Sequence, residues 1–84
     1  MSTSAERTWI VRSPEDLGRA IAGARTQRGL TQEGLAEEAA IERTYLARLE
    51  AGASPLVLER ALRALRRMGA TVTVTLPAAD GTEK

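Results

Sequence analysis

The sequence predicts a small, mainly α-helical domain of four to five helices, followed directly by one short β-strand. Three observations carry that expectation. Helix-start signals recur at Ser13-Pro14, Thr31 and Ser54-Pro55, and Gly29, Gly52 and Gly69 close the apolar stretches between them. The apolar content is mostly Ala and Leu, with one Trp, one Tyr and no Phe, which suits slim helices packed closely together. Ala70–Leu76 alternates Thr with Val and Leu, the period of a half-buried strand.

Each element has a local cause. Ser13 offers a hydroxyl to the free N–H groups of a first helix, Pro14 fits its first position, and Glu15 and Asp16 complement the positive end of its dipole. Leu17, Ala20, Ile21 and Ala24 continue it at helical spacing for about four turns, up to Gly29. Thr31 caps a second helix, with Leu35, Ala36 and Ala39 expected to face inward. After a short break at Ala39-Ala40-Ile41, a third runs from about Glu42 to Ala51, with Tyr45, Leu46 and Leu49 spaced for burial. Ser54-Pro55 opens a fourth by the same cap-plus-proline logic. Its apolar stripe is Leu58, Ala61, Leu62, Leu65 and Met68, and Arg60, Arg63, Arg66 and Arg67 take the other faces. Thr8–Val11 is β-prone and makes a brief strand or an anchoring arm.

The organisation that follows is a flexible N-terminal arm with a short strand (1–12), a helical domain (13–69), a strand (70–77) and a disordered tail (78–84). Eighty-four residues make one domain, near the size at which a single core is marginal and a partner subunit adds stability. There is no Cys and no His, so disulfides, thiol or imidazole chemistry and the usual metal clusters are excluded; no cofactor, metal or small-molecule effector is expected. No paired carboxylates or nucleophile arrangement stands out above helix-surface acids such as Glu37 and Glu38, so the protein is not expected to be an enzyme. No apolar run approaches the roughly 20 residues of a membrane span, and Met1–Arg7 lacks a signal-peptide core; a cytoplasmic protein is expected.

Net charge is only +1, but it is unevenly spread. Leu17–Gly52 holds Arg19, Arg25, Arg28, Arg43 and Arg48 against Glu33, Glu37, Glu38, Glu42 and Glu50, whereas Glu59–Met68 holds four Arg and one Glu. Arginine suits bidentate contacts to phosphate and guanine, although an Arg- and Ala-rich composition is equally the mark of a GC-rich genome.

The segment Gly29-Leu30-Thr31-Gln32-Glu33-Gly34-Leu35-Ala36-Glu37-Glu38-Ala39-Ala40-Ile41-Glu42-Arg43-Thr44-Tyr45-Leu46-Ala47-Arg48-Leu49-Glu50-Ala51-Gly52 resembles the Cro/cI-type helix-turn-helix of the xenobiotic-response-element repressors. The resemblance implies a lambda-repressor-like fold, double-stranded DNA as partner and a nucleoid-associated protein. It departs from the family's pattern at Ala40, where a glycine is usual, and at Glu42, where a serine caps the recognition helix. Alanine tolerates a left-handed backbone poorly. Glu42 can still accept from backbone N–H groups but suits a phosphate contact less well than serine.

Carried over position by position, the resemblance places Arg43, Thr44, Ala47 and Arg48 in the major groove, Glu42 at the doubtful phosphate contact and Gln32 at a phosphate beside a helix N-terminus. It also implies an ion pair between Arg25 and Glu50. The bland alternatives are solvated arginines, a helix-cap role for Gln32 and a solvated Arg25.

The outer parts are similar to antitoxins of the HipB type, in which trailing strands join two protomers that bind a palindromic operator and capture a HipA-like kinase toxin. Here the strand residues would be Val72, Val74 and Leu76. A strand needs a neighbour, and two are open: the Trp9–Val11 run, or the same strand across a homodimer two-fold, the arrangement the resemblance favours. Three functions stay open: an antitoxin-repressor, a stand-alone repressor from a phage or mobile element, and a protein-interaction module that has lost DNA binding.

Overall fold

The computed structural model describes residues 6–53 and 55–78; the expectations for residues 1–5, for Ser54 as a helix cap and for residues 79–84 lie outside the described residues. In chain order the elements are β1 (Arg7–Ile10), α1 (Pro14–Gln27), α2 (Gln32–Ala39), α3 (Arg43–Glu50), α4 (Leu56–Arg67) and β2 (Thr73–Leu76). The mainly helical class with a C-terminal strand is therefore the one the sequence predicts, with four helices and a two-stranded antiparallel sheet.

Capping sets where the first two helices begin. Ser13 Oγ accepts from the Asp16 N–H at 3.2 Å, and the Asp16 carboxylate reaches back to the Arg12 N–H at 3.0 Å. Thr31 Oγ1 accepts from the Gly34 N–H at 2.9 Å. The later helices depart from expectation. α4 has Pro55 at its N-cap rather than its first helical position, with no side-chain cap. Glu42 occupies the N-cap of α3 but its side chain caps nothing. Folding that longer side chain back would cost rotamer freedom that the shorter Ser or Asp need not give up.

The α2–α3 turn is closed by Ala40, which sits in the left-handed region at φ 60° and ψ 43°. The Ile41 N–H donates to the Ala36 carbonyl at 3.0 Å and the Ala40 N–H to that of Glu37 at 3.2 Å, so carbonyls of the last turn of α2 are satisfied. The Cβ of Ala40 costs about 1 kcal/mol there relative to glycine.

β2 pairs with β1 in its own chain, with Trp9 opposite Val74 and Thr8 opposite Thr75. Pairing across a dimer, the arrangement favoured for this strand, is replaced at this edge by β1. The ladder spans four residues rather than seven because β1 is only four long; one further bond, from the Val11 N–H to the Val72 carbonyl at 2.8 Å, extends it toward α1. A two-stranded ribbon is marginal alone. Here Trp9, Val72 and Val74 pack on a core of Val11, Ala20 and Leu62, joined by Leu17 and Leu58. The Trp9 ring rests on Gly23, where an added Cβ would come within 2.6 Å of it, and the Arg7 guanidinium lies 4.6 Å above the ring centre.

Ala36 and Leu46 are buried where α2 meets α3. Ala39, Tyr45, Ala61 and Met68, expected inward, are exposed. α2 and α3 are only eight residues long, and α4 offers a wider apolar arc than the core can cover.

The approach of α1 to α3 depends on Gly18. A Cβ there would meet the Glu50 carbonyl oxygen at 2.6 Å and that of Leu49 closer still. Because these are backbone atoms, relief requires the helices to part. Gly18→Ala is expected to destabilise the fold by about 1–3 kcal/mol, read as a lower Tm by circular dichroism. Ala40→Gly is expected to raise Tm by about 4–8 °C, the shift that relief of about 1 kcal/mol produces in a domain of this size.

Candidate nucleic-acid interface

α3 is anchored on one side and open on the other. Leu46 is buried, and Leu49 and Glu50 are partly buried against the rest of the fold. At 3.6 residues per turn, Arg43, Ala47, Thr44 and Arg48 follow one another over about 140° of the opposite face. Arg43, Thr44 and Arg48 are exposed and Ala47 is half-buried between them. The helix is about 12 Å long, comparable to the width of the major groove.

Beneath it lies a hydrogen-bonded junction of three helices. Arg25 of α1 grips Glu50 of α3 in a bidentate pair, Nε to Oε2 at 2.6 Å and a terminal nitrogen to Oε1 at 3.0 Å. Its other terminal nitrogen donates to the Leu30 carbonyl at 2.9 Å, fastening the loop before α2. The side chains are 17% and 7% exposed, so water competes little for this pair. Gln32, the first residue of α2, donates from Nε2 to Glu50 Oε1 at 2.9 Å. Glu50 is acceptor-only, so the amide must turn its NH2 inward and its oxygen outward. That oxygen accepts from Arg43 at 3.4 Å.

This places the expected site residues in two groups. Arg25, Glu50 and Gln32 are joined at the junction, and Gln32 passes its orientation to Arg43. Gln32 is thus not a freely rotating phosphate ligand, although the second hydrogen of its NH2 is uncommitted in these contacts. Glu42 is exposed at the mouth of α3. Val72 and Val74 are turned into their own core, and Leu76 lines an apolar groove with Ile21, Ala24, Leu30 and Leu35.

Two features were not foreseen. Gly18, whose missing Cβ lets α1 touch the end of α3, carries no periodic signal, since glycine scores as neither apolar nor polar in a helix pattern. Tyr45 lies beside Arg48 over a shallow depression that Leu49, Ala53 and Pro55 complete. Its spacing matched a core position because it adjoins Leu49 on the helix wheel.

The electrostatics of the motif are unfavourable for DNA. Over Gln32–Glu50 alone, Arg43 and Arg48 stand against Glu33, Glu37, Glu38, Glu42 and Glu50. Arg25 compensates Glu50, but among the described residues none of the other four acids forms an ion pair. Positive charge gathers instead on α4, at Arg60, Arg63, Arg66 and Arg67.

The hydrogen bonds from Arg25, and then from Gln32, hold the Glu50 carboxyl below its ordinary value near 4.5, against the opposing effect of burial. Because the folded-state value is the lower one, the pair's stabilisation is present above pH about 4.5 and is lost as pH falls through the depressed value. Wild-type Tm is therefore expected to fall more steeply below pH 4.5 than that of Glu50→Gln, which should already melt several degrees lower at neutral pH. Parallel Tm–pH curves would show that the pair contributes nothing.

Among the described residues no helix is long and apolar enough to cross a membrane. Comparison with curated proteins and with solved structures produced no match. The family model for a helix-turn-helix domain matches residues 16–75, from the first turn of α1 into the last strand. That span takes in α1 from Asp16 onward, the other three helices, the Ala40 turn and the exposed face of α3, and the chain belongs to the helix-turn-helix domain family.

Proposed function

We propose that the protein is a sequence-specific transcriptional repressor of the Cro/cI, xenobiotic-response-element kind, acting in the cytoplasm as a homodimer on a palindromic, nucleoid-borne operator. The observation that carries this reading is the outer face of α3, where Arg43, Thr44, Ala47 and Arg48 stand together on a helix locked from below by Arg25 and Glu50. Arg43 and Arg48 each have the planar fork that matches guanine O6 and N7, worth about 1–3 kcal/mol of discrimination apiece. Thr44 suits a thymine methyl or a phosphate oxygen. Ala47 keeps the space between the arginines low enough for base edges to approach. Gln32 stands at the N-terminus of α2, where the positive end of the helix dipole favours a phosphate.

The acid surplus of α2 and α3 limits how much affinity one copy can draw from the phosphate backbone. Two copies on half-sites about one helical turn apart supply what one lacks. Within this class we read the chain as the antitoxin of a HipA/HipB-like pair that represses its own operon. Support comes from resemblance: a Ser13-Pro14 start, a four-helix core and a strand directly after it. A stand-alone phage-type or mobile-element repressor shares the same DNA chemistry. Co-purification with a kinase-like protein encoded next door distinguishes the two. The acids Glu37, Glu38 and Glu42, exposed beside the α3 face, favour the remaining reading, an interaction module that has lost DNA binding. No catalytic role is part of this proposal.

Fluorescence anisotropy with DNA from the protein's own promoter tests it. Arg48→Ala is expected to reduce the preference for operator over scrambled DNA by about 10- to 100-fold. Gln32→Ala should weaken binding to both and, by releasing Arg43, lower the preference less than Arg48→Ala does. Absence of any salt-sensitive binding by the wild-type chain would remove both repressor readings and leave the interaction module.

A further inference from the structure

Helix α4 has a face that its own chain leaves uncovered. By helical phase its apolar residues fill about 160° of the circumference, from Leu62 and Leu58 through Leu65 to Ala61, Met68, Val57 and Ala64. Only one edge of that arc meets the core, through buried Leu62 and half-buried Leu58. Val57 and Met68 are 72% and 73% exposed, and Ala61 and Ala64 are exposed between them. The close-packed element pairs are α1 with α3, α2 with α3, β1 with β2 and α1 with β1; α4 belongs to none of them.

The four uncovered residues are spaced four, three and four apart, the interval of a helix–helix seam. Their order of size reads the same in both directions: large, small, small, large. A two-fold axis between Leu62 and Arg63 sets Val57 opposite Met68 of a second copy, and Ala61 opposite Ala64. Self-matching of this kind is what an isologous contact requires. Alanines at the crossing let the two helix axes approach closely. The charged side chains keep off the seam: Glu59 is engaged with Arg63 at 3.7 Å, Arg66 lies on the far side, and Arg60 and Arg67 border one edge. Apolar patches on monomers reach roughly 300–600 Å², and two faces at the upper end of that range together reach the lower end of a specific interface, about 1,200 Å².

We propose that this face of α4 is where two copies of the chain associate, antiparallel and about that two-fold. The occupant is a second copy because the seam complements itself in register and in the order of residue size. For its purpose the inference rests on the reading of the protein as a dimer on DNA. Its test does not, since association is measured without DNA.

Sedimentation equilibrium of the full chain from about 10 μM to about 1 mM is the measurement. The wild-type chain should show a reversible monomer–dimer equilibrium. Ala61→Glu should raise the dissociation constant at least about tenfold, a loss of about 1.4 kcal/mol, while helicity and low-concentration Tm stay unchanged because the site is exposed. Ala64→Lys should do the same. An equimolar mixture of the two variants should regain association, because the two-fold sets the introduced carboxylate against the introduced ammonium. A wild-type chain that stays monomeric throughout overturns the proposal, as does a dimer that both substitutions leave intact. A dimer that is sensitive to them yet fails to bind DNA supports this interface and removes the repressor reading.

Discussion

Everything presented on the outer face of α3 depends on the Arg25–Glu50 pair. A helix of eight residues has little stability of its own, and α3 has no side-chain cap at its N-terminus. What orients it is its C-terminal end, where Glu50 receives two hydrogen bonds from Arg25 and one from Gln32. An unpaired carboxylate in so dry a position would be costly; fully satisfied, it ties α1, the start of α2 and the end of α3 together. Gly18 completes the arrangement sterically, since the ion pair can close at this length only because α1 and α3 come into backbone contact beside it.

The same junction extends to the surface that would meet DNA. Glu50 fixes which way the Gln32 amide faces, and the outward oxygen of that amide steadies Arg43. Two exposed arginines on one short helix thus differ in freedom: Arg43 is held by a neighbour from α2, while no side-chain partner engages Arg48 among the described residues. The acids around them work in the opposite sense. Four exposed glutamates on α2 and at the start of α3 lower the general attraction to phosphate, so under the proposed function directed contacts rather than bulk charge would have to supply the discrimination.

Of the two neighbours the sequence leaves open for β2, the folded chain supplies β1. Both strands are short enough to serve only as a clasp, and the clasp holds because Trp9 lies on Gly23 and Val74 reaches the Val11–Ala20–Leu62 core. With Val72 and Val74 packed inside, α4 still carries exposed apolar side chains at Val57 and Met68. A small core poor in aromatics would gain from covering that face, as the proposed α4 contact does.

The sequence by itself determined the order of the helices, most of their boundaries, the helix-turn-helix motif and the outward residues of α3, and left their number at four or five. Those features follow from local rules: Ser13 and Thr31 act within three residues, Gly29 and Gly52 release the chain into positive φ, and helical spacing separates Leu46 and Leu49 from Arg43, Thr44 and Arg48. The Ala40 turn was also visible as a departure from pattern, and its left-handed backbone is the physical consequence.

Only the tertiary structure decided what depends on residues distant in the chain. Which neighbour β2 takes was undetermined because both candidates satisfy the same backbone groups; the packing of Trp9 and Val74 on the helices selects β1. The exposure of Tyr45 and Met68 could not be read from spacing, because a helix wheel gives the direction of a side chain but not whether another element lies there. The ties from Gln32 to Glu50 and from Arg43 to Gln32 likewise required the folded arrangement. Sequence spacing can bring a glutamine and a glutamate onto neighbouring helices, but only three-dimensional placement turns that neighbourhood into a hydrogen bond.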